Sequence, residues 1–356
     1  MKHLLLSALL ATGLMCHTSV ALAAVVYKIV TASERGTYIK IGRDLAEYVA
    51  PAADIRLEAL PSAGSADNAR LLRYEPGVKL ALVQSDVYQS FVDLAAGGNT
   101  AARTLMRPLR VILPLYNEEI HFVVRADSER NFIHEIGNAK LNAGEQGSGT
   151  ALTSATLYRL MFNAAMPEAS TSYLSNEEAL AKLVTDKTID VVAVVAGQPA
   201  KLFVDMKPES RKLIKLLKFD PKHASSAAVL KTYFPATVRA QNYANLLTED
   251  IPGLAVKAFL VTYDYQRKDT EHNLRNMARS LCQNFGVLQE KGHPKWREVS
   301  LALPDLGRGW FYYPPTTREL RACIAAKPRQ QQQRVNSPPA KMCTQQERIL
   351  GLCGGG

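Results

Sequence analysis

The sequence predicts an α/β protein of two lobes, with a hinge and a ligand cleft between them. Three observations lead there. At 356 residues the chain is longer than one hydrophobic core usually supports. Short β-branched runs alternate with amphipathic ones, the pattern of helices packed on mostly parallel sheets. Two long apolar stretches flanked by charge, "EEIHFVVRAD" and "GLAVKAFLVTYDY", suit strands that carry the chain out to a second lobe and back.

Each element follows from local pattern. "VVYKIV" is a short β-branched strand, and the polar turn "TASERGT" leads to "YIKIGRDLAEYV", where Ile41, Leu45, Tyr48 and Val49 recur at helical spacing. "DIRLEAL" reads as the second strand, "SADNARLLR" as a helix capped by Ser65 or Asp67, and "VKLALVQSD" as the third strand. "LRVILPLY" and "IHFVVR" read as two strands joined by "NEE". A second round begins with the strand "AKLNAG", the turn "GSGT" and the helix "ALTSATLYRLMF". "STSYLS", the helix "NEEALAKLVTDK" and the strands "DVVAVVAG" and "KLIKLLKF" complete it. "VKAFLVTYDY" is strand-like again, and "EHNLRNMARSLCQNFGVLQE" reads as one long amphipathic helix.

The chain ends carry separate signals. "MKHLLLSALLATGLMCHTSVALAA" has a basic start, an apolar stretch from Leu4 to Met15 and small residues at Ala21 and Ala23. That is a secretory signal peptide with cleavage before Ala24, and the apolar run is too short to span a bilayer. A lipoprotein attachment at Cys16 is disfavoured by Gly13. The expected location is therefore periplasmic. Cys282, Cys323, Cys343 and Cys353 remain in the exported chain, an even set that suggests disulfides. Their connectivity is open, with Cys282–Cys323 and Cys343–Cys353 the expected pairing. The spacing offers no CxxC pair for zinc. Of the net charge of +10, half lies from Thr316 onward, where seven basic residues face two acidic ones in a segment containing "QQQQ" and "SPP". Such a segment reads as a solvated tail, so the charge does not argue for nucleic acid.

Three strand-to-helix turns could carry a ligand: "TASERGTY", "VQSDV" and "GEQGSGT". Helix N-termini there present free N–H groups and partial positive charge, which hold a carboxylate or phosphate without a lysine. Gly144 and Gly149 have the spacing of a P-loop, but Thr150 stands where its lysine belongs, and Leu152 stands where a dinucleotide fingerprint needs glycine. No GxSxG elbow or HExxH pair occurs. His121 reads as a buried, satisfied histidine, and Asp86 as a cap for the next helix. No catalytic constellation, cofactor or metal site is indicated.

In order along the chain, "VQSDV", "LYNEEIHFVVRADS", "GEQGSGT", "VVAVVAGQPA" and "VKAFLVTYD" resemble the TAXI family, the exported solute-binding subunits of TRAP transporters. The resemblance runs from about Tyr27 to about Pro315, and "QGSGT" after "VVRADS" is its most specific part. It implies a type II periplasmic-binding-protein fold and capture of a small carboxylate, such as glutamate, glutamine or a 2-oxoacid, for a sodium-driven membrane permease. Carried over residue by residue, it implies ligand contacts from Gly36, Thr37 and Tyr38 in the first turn, from Gln84, Ser85 and Asp86 in the QSD turn, and from Tyr116. In the second lobe it implies Gly147, Ser148, Gly149 and Thr150, with Gln198 where the family commonly has histidine. The first turn departs from the family: Ser33, Glu34 and Arg35 replace a Thr/Gly run. Arg35 could clamp a carboxylate, and Glu34 could repel it or neutralise Arg35.

The expected organisation is a signal peptide over 1–23, a first lobe from 24–118 and 222–315, a second lobe over 119–221, and a basic, cysteine-containing tail over 316–356. The expected partners are a small anionic ligand and a TRAP permease subunit, with the protein itself a monomer. Three other function classes fit the same sequence. They are a ligand sensor signalling to a membrane receptor or envelope partner, a small-substrate enzyme, and an adhesive role for the tail.

Overall fold

The computed structural model describes residues 24–244, 246–306 and 309–336. The expected signal peptide and the expected Cys343–Cys353 pair lie outside the described residues. The strands are β1 (Val25–Val30), β2 (Ile55–Leu60), β3 (Val78–Gln84), β4 (Leu109–Arg125), β5 (Leu141–Asn142), β6 (Thr171–Ser172), β7 (Val191–Ala196), β8 (Ile214–Leu216), β9 (Phe234–Val238) and β10 (Ile251–Tyr263). Four helices precede the first crossing: α1 (Thr37–Tyr48), α2 (Ser65–Tyr74), α3 (Ser85–Ala96) and α4 (Thr100–Met106). Then come α5 (Gly149–Phe162), α6 (Asn176–Val184) and three short helices, α7 (Lys201–Val204), α8 (Pro208–Arg211) and α9 (Ser226–Val229). The last three are α10 (Lys268–Gln283), α11 (Phe285–Lys291) and α12 (Pro314–Asn336).

The strands join in one mixed sheet, ordered β2-β1-β3-β10-β4-β7-β5-β6, with β8 also on β4 and β9 on β10. Its two ends are separate α/β lobes. In the first, β1 pairs parallel with β2 and β3, and α1 buries Ile39, Ile41 and Leu45 against them. In the second, β5 pairs parallel with β6 and β7. The long strands β4 and β10 run antiparallel through both lobes, so the expected two-lobed architecture with a hinge and cleft is present.

Three readings change. "NEE" is not a turn: Asn117, Glu118 and Glu119 stay in β4 and pair with Lys257, Val256 and Ala255 of β10. Both glutamates are buried, so β4 is one strand of 17 residues and its charged centre is the interlobe crossing. Residues 222–250 pack on the second lobe rather than the first. Val229 and Tyr233 join the core of Phe122 and Leu157, and Val238 and Tyr243 join that of Val123 and Leu183. The return crossing is therefore in β10. The long helix "EHNLR…LQE" breaks at Asn284, whose side-chain amide donates to the Ser280 carbonyl and hydroxyl, while that hydroxyl donates to the Val49 carbonyl.

The expected tail also begins as structure. Thr316, Thr317 and Leu320 of α12 are buried, Glu319 accepts from Arg275 and Arg279 of α10, and Cys323 is bonded to Cys282 as expected. The bond closes a loop of 41 residues in sequence separation, enough to restrict the unfolded chain substantially. Reducing it, or making Cys323→Ser, is expected to lower unfolding stability by about 2–4 kcal/mol. Urea titrations with and without dithiothreitol measure this, and coincident curves would show that α12 docks without help from the bond.

Candidate functional site

Between the lobes lies a cleft of about 930 Å³ whose polar end is built from helix starts. The first lobe contributes the turn before α1 (Arg35 to Tyr38) and the turn before α2 (Ala63 to Ser65). The second contributes Ser148 to Thr150 at α5, and Asn176 and Glu177 at α6. First-turn N–H groups have no acceptor within their own helix, and each helix start carries partial positive charge. Gly36 and Gly64, the N-caps of α1 and α2, supply no side-chain cap. Ser148 accepts only from Ala151 N, and Ser175 from Glu178 N. The result is an anion-binding surface of backbone amides facing one space.

The glycine-rich turn at α5 is shaped for close approach. Gly144 has φ +92°, and a methyl group there would lie 2.7 Å from Thr150 Cγ2. A methyl on Gly149 would lie 1.9 Å from Gln84 Oε1 and 2.8 Å from Ser65 Oγ, both on the opposite lobe. Only glycine lets the α5 backbone face Gln84 so closely. The lobes also meet directly, Asp67 N donating to the Gly147 carbonyl at 3.1 Å.

The floor contains buried polar atoms without a hydrogen-bond partner: Tyr38 Oη, Gln84 Oε1 and Glu118 Oε2, on three side chains that all line the cleft. Burial raises the Glu118 pKa to about 8, so its carboxyl is protonated at neutral pH and can donate. Burial and the neighbouring Glu118 hold the Tyr38 hydroxyl well above the ordinary tyrosine range, which keeps it a donor too. Beside them the crossing is held by Lys295, 1% exposed, whose ammonium donates to the Asn117 carbonyl, Glu119 and Glu298. Glu119 Oε2 also accepts from Gln198 N at 2.8 Å. Buried polar atoms without a well-formed bond are uncommon in native proteins; Asp86 Oδ1, Tyr116 Oη and Asn117 Oδ1 are others off the cleft wall, while the three on the floor lie near one another and face the cleft.

Of the residues expected at the site, Arg35, Gly36, Thr37, Tyr38, Gln84, Ser148, Gly149 and Thr150 line the cleft. Arg35 crosses its mouth to Glu177 at 3.3 Å, with 79% of its side chain exposed, while Glu34 pairs with Arg43 rather than Arg35. The other five expected residues lie off the cleft wall. Ser85 Oγ accepts from Lys257 N. Asp86 is a buried interlobe contact, its Oδ2 accepting from Thr153 Oγ1 at 2.6 Å and Tyr233 Oη at 3.0 Å. The Tyr116 ring lies 5.6 Å from Lys295 Nζ. Gly147 takes the bond from Asp67. Gln198 is tied by its side chain to Thr237, Arg239 and Asn242. Sequence reasoning missed Glu118, Ser65 and Asn176 as cleft residues. The available signal for Glu118 was a charged pair inside an otherwise unbroken apolar run.

His121 is buried, with Nδ1 at the Val194 carbonyl and Nε2 at Tyr243 Oη, and burial lowers its pKa to about 4, so it is a neutral core histidine. Among the described residues no cluster of three or more His, Cys, Asp and Glu could hold a metal, and no helix is long and apolar enough to cross a membrane.

Residues 29–303 match the NMT1-like family. Several solved structures are similar at low identity. One is PhnD1 from Prochlorococcus marinus in complex with methylphosphonate, 13% identical over 76% of this chain and 88% of that one, with a TM-score of 0.47. Another is XAC2383 from Xanthomonas citri bound to ATP, 14% identical over 85% and 97%, with a TM-score of 0.44. A third is SsuA, a putative periplasmic sulfonate-binding protein from Methylobacillus flagellatus, 11% identical over 86% and 87%, with a TM-score of 0.45. At these values the likeness says nothing of what this cleft holds.

Burial raises the Asp86 carboxyl to about 6, above its unfolded value, so the folded state binds its proton more tightly. Its contribution to stability is therefore full in acid and lost as pH rises through about 6. Between about pH 4 and pH 6 wild-type stability should fall, relative to Asp86→Asn, by up to about 1.4 kcal/mol per pH unit. Urea unfolding of both proteins from pH 4 to pH 7 tests this, and parallel profiles would show that Asp86 does not titrate as a buried latch.

Proposed function

The chain belongs to the NMT1-like family, and from the cleft we propose that it is an exported solute-binding protein that closes over a small carboxylate. The carrying observation is the convergence of four helix starts on the buried hydroxyl of Tyr38 and the neutral carboxyl of Glu118, in a cleft closed by direct interlobe contacts. A carboxylate there accepts from the N–H groups of α1, α2 and α5, and from the Tyr38, Glu118 and Thr150 hydroxyls, in a site from which closure removes water. Such charge-assisted bonds are about twice as strong as neutral ones. We further assign the protein to periplasmic capture for a TRAP-type permease, on the strength of the TAXI-like segments "VQSDV" and "GEQGSGT", which supply Gln84 and Ser148–Thr150 to the cleft wall.

Calorimetric titration with glutamine and pyruvate, each carrying one carboxylate, tests the reading. Tyr38→Phe and Thr150→Ala should each weaken binding by about tenfold without unfolding the protein, the worth of one hydrogen bond to a charged group. Unchanged curves in both variants would overturn the assignment of this wall. Affinity should also fall as pH rises through about 8, where Glu118 ionises and repels the acid. Glu118→Gln should bind with no such fall, and a fall that persisted in it would exclude Glu118 as the donor.

A further inference from the structure

The cleft does not end at its polar pole. Helix α6 lays one face along it: Asn176 and Glu177, then Leu180 and Ala181, then Val184 and Thr185. This stripe begins polar at the helix start and becomes mainly apolar, over about 12 Å from Asn176 to Val184 at about 1.5 Å per residue. The same wall continues in Val195 and Ala196 of β7, with Leu202 and Met206 around α7. Val184, Ala196, Leu202 and Met206 are only partly buried where they border the core, so apolar surface is left facing the cavity. The two regions are contiguous, because Val195 N donates to Thr150 Oγ1 at 3.4 Å.

Size and charge both bear on what fills this wing. A volume of about 930 Å³ lies near the top of the range of about 300–1,000 Å³ seen for drug-sized ligands, well beyond what a short acid needs. A dicarboxylate reaching into the wing would need a cation for its second charge. Lys201, the cation at that end, is paired with Asp205, and Arg35 at the mouth is paired with Glu177; the third lining cation, Lys40, belongs to α1 on the first lobe, at the helix-start pole rather than on the wing.

We propose that the cleft takes an amphiphilic monocarboxylate, with its carboxylate at the helix starts and an apolar chain or ring along the wall of α6, β7 and α7. This rests on the reading of the polar end as a carboxylate site and adds the class of acid. Burying the chain against Leu180, Val184, Leu202 and Met206 contributes hydrophobic free energy for each methylene placed there.

Calorimetric titration of the full exported chain with straight-chain monocarboxylates from acetate to decanoate, and with succinate and adipate, tests it. Affinity should rise about fourfold per added methylene until the wall is filled, and adipate should bind more weakly than hexanoate. Leu202→Ser and Val184→Ser should each cut the octanoate-to-acetate affinity ratio by about tenfold, with acetate affinity held at the wild-type value as the sign that the fold and the polar pole survive the lost core packing. Acetate binding with no dependence on chain length, or adipate binding tighter than hexanoate, would overturn the amphiphile and leave the carboxylate site standing. Absence of binding by every acid would overturn both. A ratio unchanged in both variants would overturn the placement on this wall.

Discussion

Lys295 holds the crossing on which the arrangement depends. Its ammonium is buried under the centre of β4, where it ties the Asn117 carbonyl and Glu119 of the crossing to Glu298 of the first lobe. Glu119 in turn accepts the Gln198 amide from the second lobe, so one cation links hinge and both lobes. The fit is tight, since a methyl on Gly197 would lie 2.6 Å from Lys295 Cε. Removing one member of such a buried set leaves an uncompensated charge, which costs far more than the pair contributes in isolation. Glu118, one residue before Glu119, has no ion pair with Lys295 and stays neutral. Burial sets the protonation state of the cleft floor, against the pull of Lys295, which favours the ionised carboxyl.

Closure is made from short polar contacts on either side of this hinge. Asp86 receives Thr153 and Tyr233, Ser90 meets Thr156, Asp93 pairs with Arg159, and Gly147 receives Asp67. Several are exposed or single bonds of modest worth, the kind of interface two lobes can make and release. The Gly149–Gln84 approach gives closure its selectivity: the α5 amides reach the other lobe only because no side chain intervenes.

The sequence made the fold legible wherever the signal was local. Alternating β-branched runs and helical stripes located β1 to β3, α1, α2, α5, α6 and β7, and Gly-Ser-Thr turn chemistry pointed to the α5 start. It misled where pairing is distant. "NEE" reads as a turn because charged residues usually mark one, but its partner Lys295 lies 176 residues from Glu119 and only the folded chain brings them together. Asp86 and Gln198 drew notice as polar residues in turns, yet Asp86 Oδ2 is taken by Thr153 and Tyr233, and the Gln198 side chain by Thr237 and Arg239. The start of the tail looked solvated by composition, but Leu320 and Cys323 dock it on α10. The apolar wing was invisible because its residues come from α6, β7 and α7, each of which reads as ordinary core when taken alone.

The central claim is that backbone amides at helix starts form the anion pole of the cleft. The direct measurement is a nitrogen-15 amide spectrum of the labelled protein titrated with sodium acetate against a sodium chloride control. The account predicts saturable shifts largest at Thr37, Tyr38, Ser65, Gly149 and Thr150, on both lobes together. Shifts confined to one lobe, or centred away from these amides, would contradict it.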